Sequence, residues 1–140
     1  MKKKRLTLTS VLVLIGTLSV ACSVSTANLS SLKVGKDQNV SQETNTFASA
    51  DTVYAVATVA NAPGKVKVKG QLAIEDVAGE KPGPIPGLEK TLELDGSGKA
   101  TFTFSPPADG WPKGKYKIEV VMMNEQGEQK DQESATFTVS

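Results

Sequence analysis

Two groups of carboxylates are the side chains here whose spacing comes closest to a reactive site. Glu75, Asp76, Glu80 and Glu89 flank a proline-rich stretch, and Glu125, Glu128, Asp131 and Glu133 crowd a later turn. A glycosidase needs two carboxyl groups opposed at a set separation. A calcium site needs several oxygens converging on one point. Spacing along the chain fixes neither geometry, and a solvated acidic rim is the simpler reading of both groups, ahead of weak Ca²⁺ binding. The chain has no histidine. That removes the commonest general base at neutral pH and the commonest metal ligand, and with them any Ser-His-Asp or Cys-His arrangement. No Gly-x-Gly-x-x-Gly or Walker loop occurs. Asp95-Gly96-Ser97-Gly98 has the glycines of a phosphate loop but the context of a tight turn. The residues point away from an enzyme, and they imply no cofactor and no metal.

The single cysteine, Cys22, has a different chemistry. Lys2, Lys3, Lys4 and Arg5 precede an apolar stretch from Leu6 to Val20, which Thr7, Thr9, Ser10, Thr17 and Ser19 dilute, and Ala21 stands just before the cysteine. This is the layout of a secretory signal peptide over residues 1–21. The apolar stretch is shorter than the roughly twenty residues of a membrane span. Leu18-Ser19-Val20-Ala21-Cys22 resembles the lipobox of bacterial lipoproteins, with Ser19 where leucine is usual. The resemblance implies that the Cys22 thiol receives diacylglycerol, that the chain is cut before it, and that the bilayer is its first partner. The alternatives are a secreted chain cut near Ala21 or Ala27, and an uncleaved anchor. Ser23 after the cysteine resembles an outer-membrane destination in a cell with two membranes. In a cell with one membrane the chain would lie on its outer face.

Lys2, Lys3, Lys4 and Arg5 are four of sixteen positive charges, so twelve remain against fifteen carboxylates, a net charge of −3 after the leader. All twelve are lysines. A weakly acidic chain without arginine lacks the basic stripe and bidentate donors that nucleic-acid sites favour, so no nucleic acid is expected. With Cys22 acylated, no disulfide can form, and a domain of this size must hold on its apolar core alone.

Ser23 to Ser31 is small, polar and uncharged, and such a segment cannot offset its ordering entropy by burial. Residues 22–46 therefore read as a lipidated terminus and flexible tether, although Leu32-Lys33-Val34 could open a short first strand. From Phe47 the period becomes two. Val53, Ala55, Ala57 and Val59 share a face. Lys65-Val66-Lys67-Val68-Lys69 alternates charge with valine, the mark of a half-buried strand. Pro82, Pro84 and Pro86 exclude a central strand or a helix. Residues 89–94 and 99–104, joined by Asp95 to Gly98, read as a hairpin, and the alternation from Lys115 to Met122, the turn Asn124 to Gly127 and the row Ala135, Phe137 and Val139 read as another. No stretch has a helical period. Short strands separated by turns predict an all-β fold, a small antiparallel sandwich over residues 47–140, with a small barrel as the competing closure.

The run from Phe102 through Ser105-Pro106-Pro107-Ala108-Asp109-Gly110-Trp111-Pro112-Lys113-Gly114-Lys115-Tyr116 to Val120, with the ending Phe137-Thr138-Val139, resembles bacterial extracytoplasmic immunoglobulin-like domains. The resemblance implies an immunoglobulin-like β-sandwich and no single activity. Gly110, Gly114 and Tyr116 read as structural, the Tyr116 hydroxyl bonding a loop backbone as in a tyrosine corner. Trp111 either caps the core or offers a stacking surface. Trp111, Pro84, Pro86 and Pro107 are the candidate contacts, because a rigid scaffold positions its loops for recognition. Edge strands could also accept a partner strand. The first expectation is a non-catalytic, membrane-anchored accessory module presenting this domain to an envelope protein. The alternative is a periplasmic or surface domain that binds a glycan or peptide.

Overall fold

A computed structural model describes residues 27–140. Cys22 and the leader lie outside the described residues. Eight strands form two sheets. Strands β1 (Asn28–Gly35), β3 (Val53–Ala60) and β6 (Gly98–Phe104) make a three-stranded sheet in the order β1-β3-β6. Strands β2 (Thr46–Phe47), β4 (Val66–Val77), β5 (Gly83–Leu94), β7 (Gly114–Met123) and β8 (Gln129–Val139) make a five-stranded sheet in the order β2-β8-β7-β4-β5. Every pairing is antiparallel except the short parallel match of β2 with β8.

One continuous core lies between the sheets. Val53, Ala55, Ala57 and Val59 of β3 and Ala100, Phe102 and Phe104 of β6 face Val66, Val68 and Leu72 of β4 and Tyr116, Ile118, Val120 and Met122 of β7. The period-two alternation puts each apolar row on one side of its strand. Among the described residues no polar or charged residue is buried, and no buried side-chain polar atom lacks a partner.

Three elements differ from the sequence reading. The stretch read as tether supplies β1, which contains the possible short strand Leu32 to Val34 but begins earlier and pairs with β3 from Asn28↔Ala60 to Gly35↔Tyr54. Its serines need no apolar face, because the backbone makes the pairing, while Leu29 and Val34 enter the core. A register shift between Leu29 and Ser31 hides the alternation that would have marked the strand. The stretch after Pro82, read as a loop, is the start of β5 from Gly83. Proline is tolerated there because β5 is an edge strand. Residues 89–94 and 99–104 do not form a hairpin. Strand β5 pairs with β4, and β6 pairs with β3 in the other sheet. The Asp95–Gly98 turn carries the chain across the core, so the two apolar rows belong to opposite sheets. The second expected hairpin, β7 with β8, is present.

The register also sorts the loops by end. Asn28↔Ala60, Val59↔Gly98 and Val66↔Leu94 gather the turns 61–65, 95–97 and 124–128 at the end where β1 begins. Ile74↔Gly83, Val53↔Phe104 and Gly114↔Val139 gather the loops 36–45, 48–52, 78–82 and 105–113 at the other.

Candidate functional site

The expected contact residues separate in the structure. Trp111 is 2 % exposed and belongs to the core. Its indole Nε1–H donates to the Asp51 carbonyl at 2.8 Å, and its ring meets Tyr116 edge-on with centroids 6.0 Å apart. The contact role expected of Trp111 therefore has no surface to act through. A tryptophan beside prolines looks like a stacking platform in sequence, but here it plugs the end of the two-sheet core.

A clamp explains the burial. The Trp111 N–H donates to the Ser49 carbonyl at 2.8 Å, and the Ser49 hydroxyl donates back to the Trp111 carbonyl at 2.8 Å. Gly110 has φ of 81°, and a Cβ there would collide with Ser49 Oγ. Gly114, with φ of 147°, passes tightly beside Asp76 and Val77. The Tyr116 hydroxyl donates to the Pro112 carbonyl at 2.6 Å. Burial first, and then the Glu80 carboxylate, raises the Tyr116 pKa, so the phenol keeps its proton and remains a donor. Ser49 and Asp51 were not marked by the sequence reading, because they sit in the short Ala48–Thr52 segment with no alternation.

Asp51 holds that segment. Its carboxylate accepts from the Ala48 N–H at 2.7 Å and lies 3.1 Å from the Lys36 ammonium. The Ala48 hydrogen bond, then Lys36, lowers its pKa below the usual carboxylate range. A lowered folded-state pKa contributes stability that is complete above the unfolded-state value. It is lost as pH falls through the folded one. Urea unfolding of the wild type and Asp51→Asn should therefore differ most at neutral pH, and the gap should close below about pH 4. A gap that stays constant down to pH 2.5 would count against the ionised clamp.

Pro84 and Pro86 are exposed on β5. Opposite them the β4–β5 register skips from Gln71↔Glu89 to Ala73↔Pro84, and Ile85–Leu88 bulges out. The Gln71 carboxamide braces the bulge by donating to the carbonyls of Ile85 and Leu88, both at 3.3 Å. A groove of about 570 Å³ follows the bulge, walled by Ile74, Pro84, Ile85 and Pro86. Pro107 is exposed on the 105–113 loop, where its carbonyl accepts from the Gly110 N–H at 2.8 Å. All three prolines share the end away from the start of β1. The carboxylates stay dispersed, and no three acidic groups among the described residues converge to hold a metal ion.

A second groove, of about 460 Å³, has no signature in the sequence and lies where β1 and β8 diverge. Its floor is Leu32, Val34 and Ala135, and its rim is Glu43, Thr44, Asn45 and Thr136. The Leu29 N–H closes one end by donating to Asp131 Oδ2 at 2.7 Å. The other end closes at Asn45, whose carbonyl accepts from the Thr138 N–H at 2.8 Å. Between these ties the outer edge of β8 has no neighbouring strand among the described residues.

No family model matches the chain, and no curated protein matches it. Solved structures do resemble it. The two-sheet fold is similar to a Niemann-Pick type C2 protein from the Japanese carpenter ant, with a TM-score of 0.51 and 13% identity, covering 81% of this chain and 92% of that one. It is also similar to part of a β-glucuronidase from Bacteroides uniformis, with a TM-score of 0.50 and 14% identity, covering 80% of this chain and 14% of that one. At such identities the likeness concerns the all-β architecture alone.

Proposed function

We propose that this chain is a non-catalytic, lipid-anchored domain of the cell envelope that captures a peptide or glycan ligand in the groove between β1 and β8. The observation that carries the reading is that groove. It is open, its floor is apolar, and one wall is a strand edge unpaired among the described residues, whereas the one tryptophan is buried. Binding sites pair an apolar surface with a few fixed polar groups, and this groove has both.

The anchor rests on the leader and on Cys22. Only four residues stand between Cys22 and Ala27, where the described fold begins. Five Cα steps reach roughly 18 Å at most, so the turns 61–65, 95–97 and 124–128 would face the bilayer. The immunoglobulin-like reading of the two sheets draws support from the switch of the chain from β1 to β2, the parallel β2–β8 match and the Tyr116–Pro112 bond. The non-enzymatic reading draws support from the lack of histidine and the dispersed carboxylates. A second reading, docking of an envelope protein, is favoured by the exposure of Pro84, Pro86 and Pro107 at the end away from the anchor.

The test compares full-length wild type with Asn45→Trp on panels of peptides and glycans. Asn45 is exposed on the groove rim; its backbone carbonyl holds Thr138, and its side chain accepts one long bond, 3.4 Å, from the neighbouring exposed Thr46 hydroxyl. Capture from one panel by the wild type, lost in the variant at an unchanged melting temperature, is the expected result. Capture from neither panel would overturn the reading.

A further inference from the structure

The outer edge of β8 is more specific than the groove it borders. The Thr138 N–H points outward to the Asn45 carbonyl, and the Ser140 N–H to the Phe47 carbonyl. In a regular strand alternate residues turn their N–H and C=O to the same side. The register of β7 with β8 is unbroken from Gln132 to Val139. The N–H and C=O groups of Ser134 and Thr136 therefore point outward too, and no partner is found for them among the described residues. Ser134 and Thr136 are exposed. From Gln132 to Thr136 there is neither proline nor lysine. The other edge of this sheet differs, because β5 carries Pro84, Pro86 and the braced bulge, devices that block strand addition.

Charge narrows the occupant. Val120↔Glu133 and Ile118↔Ala135 put Glu133 on the core-facing side of β8, yet it is exposed, because β1 has diverged there. Glu43 stands on the opposite rim. Neither carboxylate has an ion-pair partner among the described residues.

We propose that the β8 edge over Gln132–Thr136 binds an extended peptide strand that carries a basic side chain. Main-chain bonds to Ser134 and Thr136 hold the strand. Leu32 and Ala135 take alternate apolar side chains, and Glu43 and Glu133 take the basic one. A bare row of strand donors and acceptors selects a strand over a sugar. The inference rests on ligand capture in the β1–β8 groove.

The probe is a seven-residue peptide of alternating threonine and valine with a lysine at each end, added to the full-length protein in detergent. Binding should slow amide exchange at Ser134 and Thr136. Methylating alternate peptide nitrogens changes the ligand and leaves the protein's fold alone, and it should weaken binding by about tenfold or more. Thr136→Pro removes one outward donor at an edge position that tolerates proline, and it should weaken binding comparably. Replacing the lysines with glutamates should abolish it. Equal binding by methylated and unmethylated peptides, or protection elsewhere only, overturns the strand-addition proposal. Capture of glycans but no peptide overturns it while leaving ligand capture standing. Capture of neither overturns both.

Discussion

Trp111→Ala should remove a large share of the domain's stability. Removing a buried aromatic costs about 3–5 kcal/mol, against a total stability of about 5–15 kcal/mol for a native protein. The indole closes the end of the core beside Tyr116, which stacks on Phe137 with centroids 5.3 Å apart. It also ties the 48–52 segment to the 105–113 loop through Asp51. Thermal unfolding should fall by roughly 10–20 °C, given about 4 °C per kcal/mol for a domain of this size. Trp111→Phe should recover part of the loss, since it keeps a ring and loses the bond to Asp51. A full-length Trp111→Ala protein that melts within a few degrees of wild type would show that the indole is not a core residue.

Gly70→Ala is the second large effect, although it adds a single methyl group. Gly70 lies in the middle of β4, paired with Lys90 and Val120, and it faces the other sheet. A Cβ there would sit 2.6 Å from Phe102 Cδ1, with two more ring carbons at 2.8 Å. Overpacking of this kind costs about 1–3 kcal/mol. The conformational gain of replacing glycine in a strand offsets up to about 1 kcal/mol of it. Phe102→Leu is expected to destabilise the wild type yet to be better tolerated in the Gly70→Ala background, because the two positions touch. Additive effects in the double-mutant cycle would show that the ring and the glycine are not in contact.

These residues show how far a sequence records its own fold. Lys65 to Lys69 reads as a strand because its alternation is strict. The same pattern could not tell a hairpin from a crossing, since the rows of β5 and β6 alternate equally well in one sheet or facing each other across the core. Of strand β1 only Leu32 to Val34 is legible, because the Leu29–Ser31 irregularity breaks the period before it and its serines look like a spacer. Trp111 was legible as core cap or platform, and the choice depended on Ser49 and Asp51, some sixty residues away. The β1–β8 groove had no signature. It arises where two strands part, and nothing in the residue types of Ser134 or Thr136 records that their outward groups find no partner among the described residues.

The measurement closest to the central claim is the amount of peptide or glycan that Asn45→Trp full-length protein retains relative to wild type, with Pro84→Ala/Pro86→Ala measured beside it. Ligand capture in the β1–β8 groove predicts loss in Asn45→Trp and wild-type retention in the proline variant. Full retention by Asn45→Trp, with loss in the proline variant, would contradict it and move the recognition surface to the braced bulge of β5.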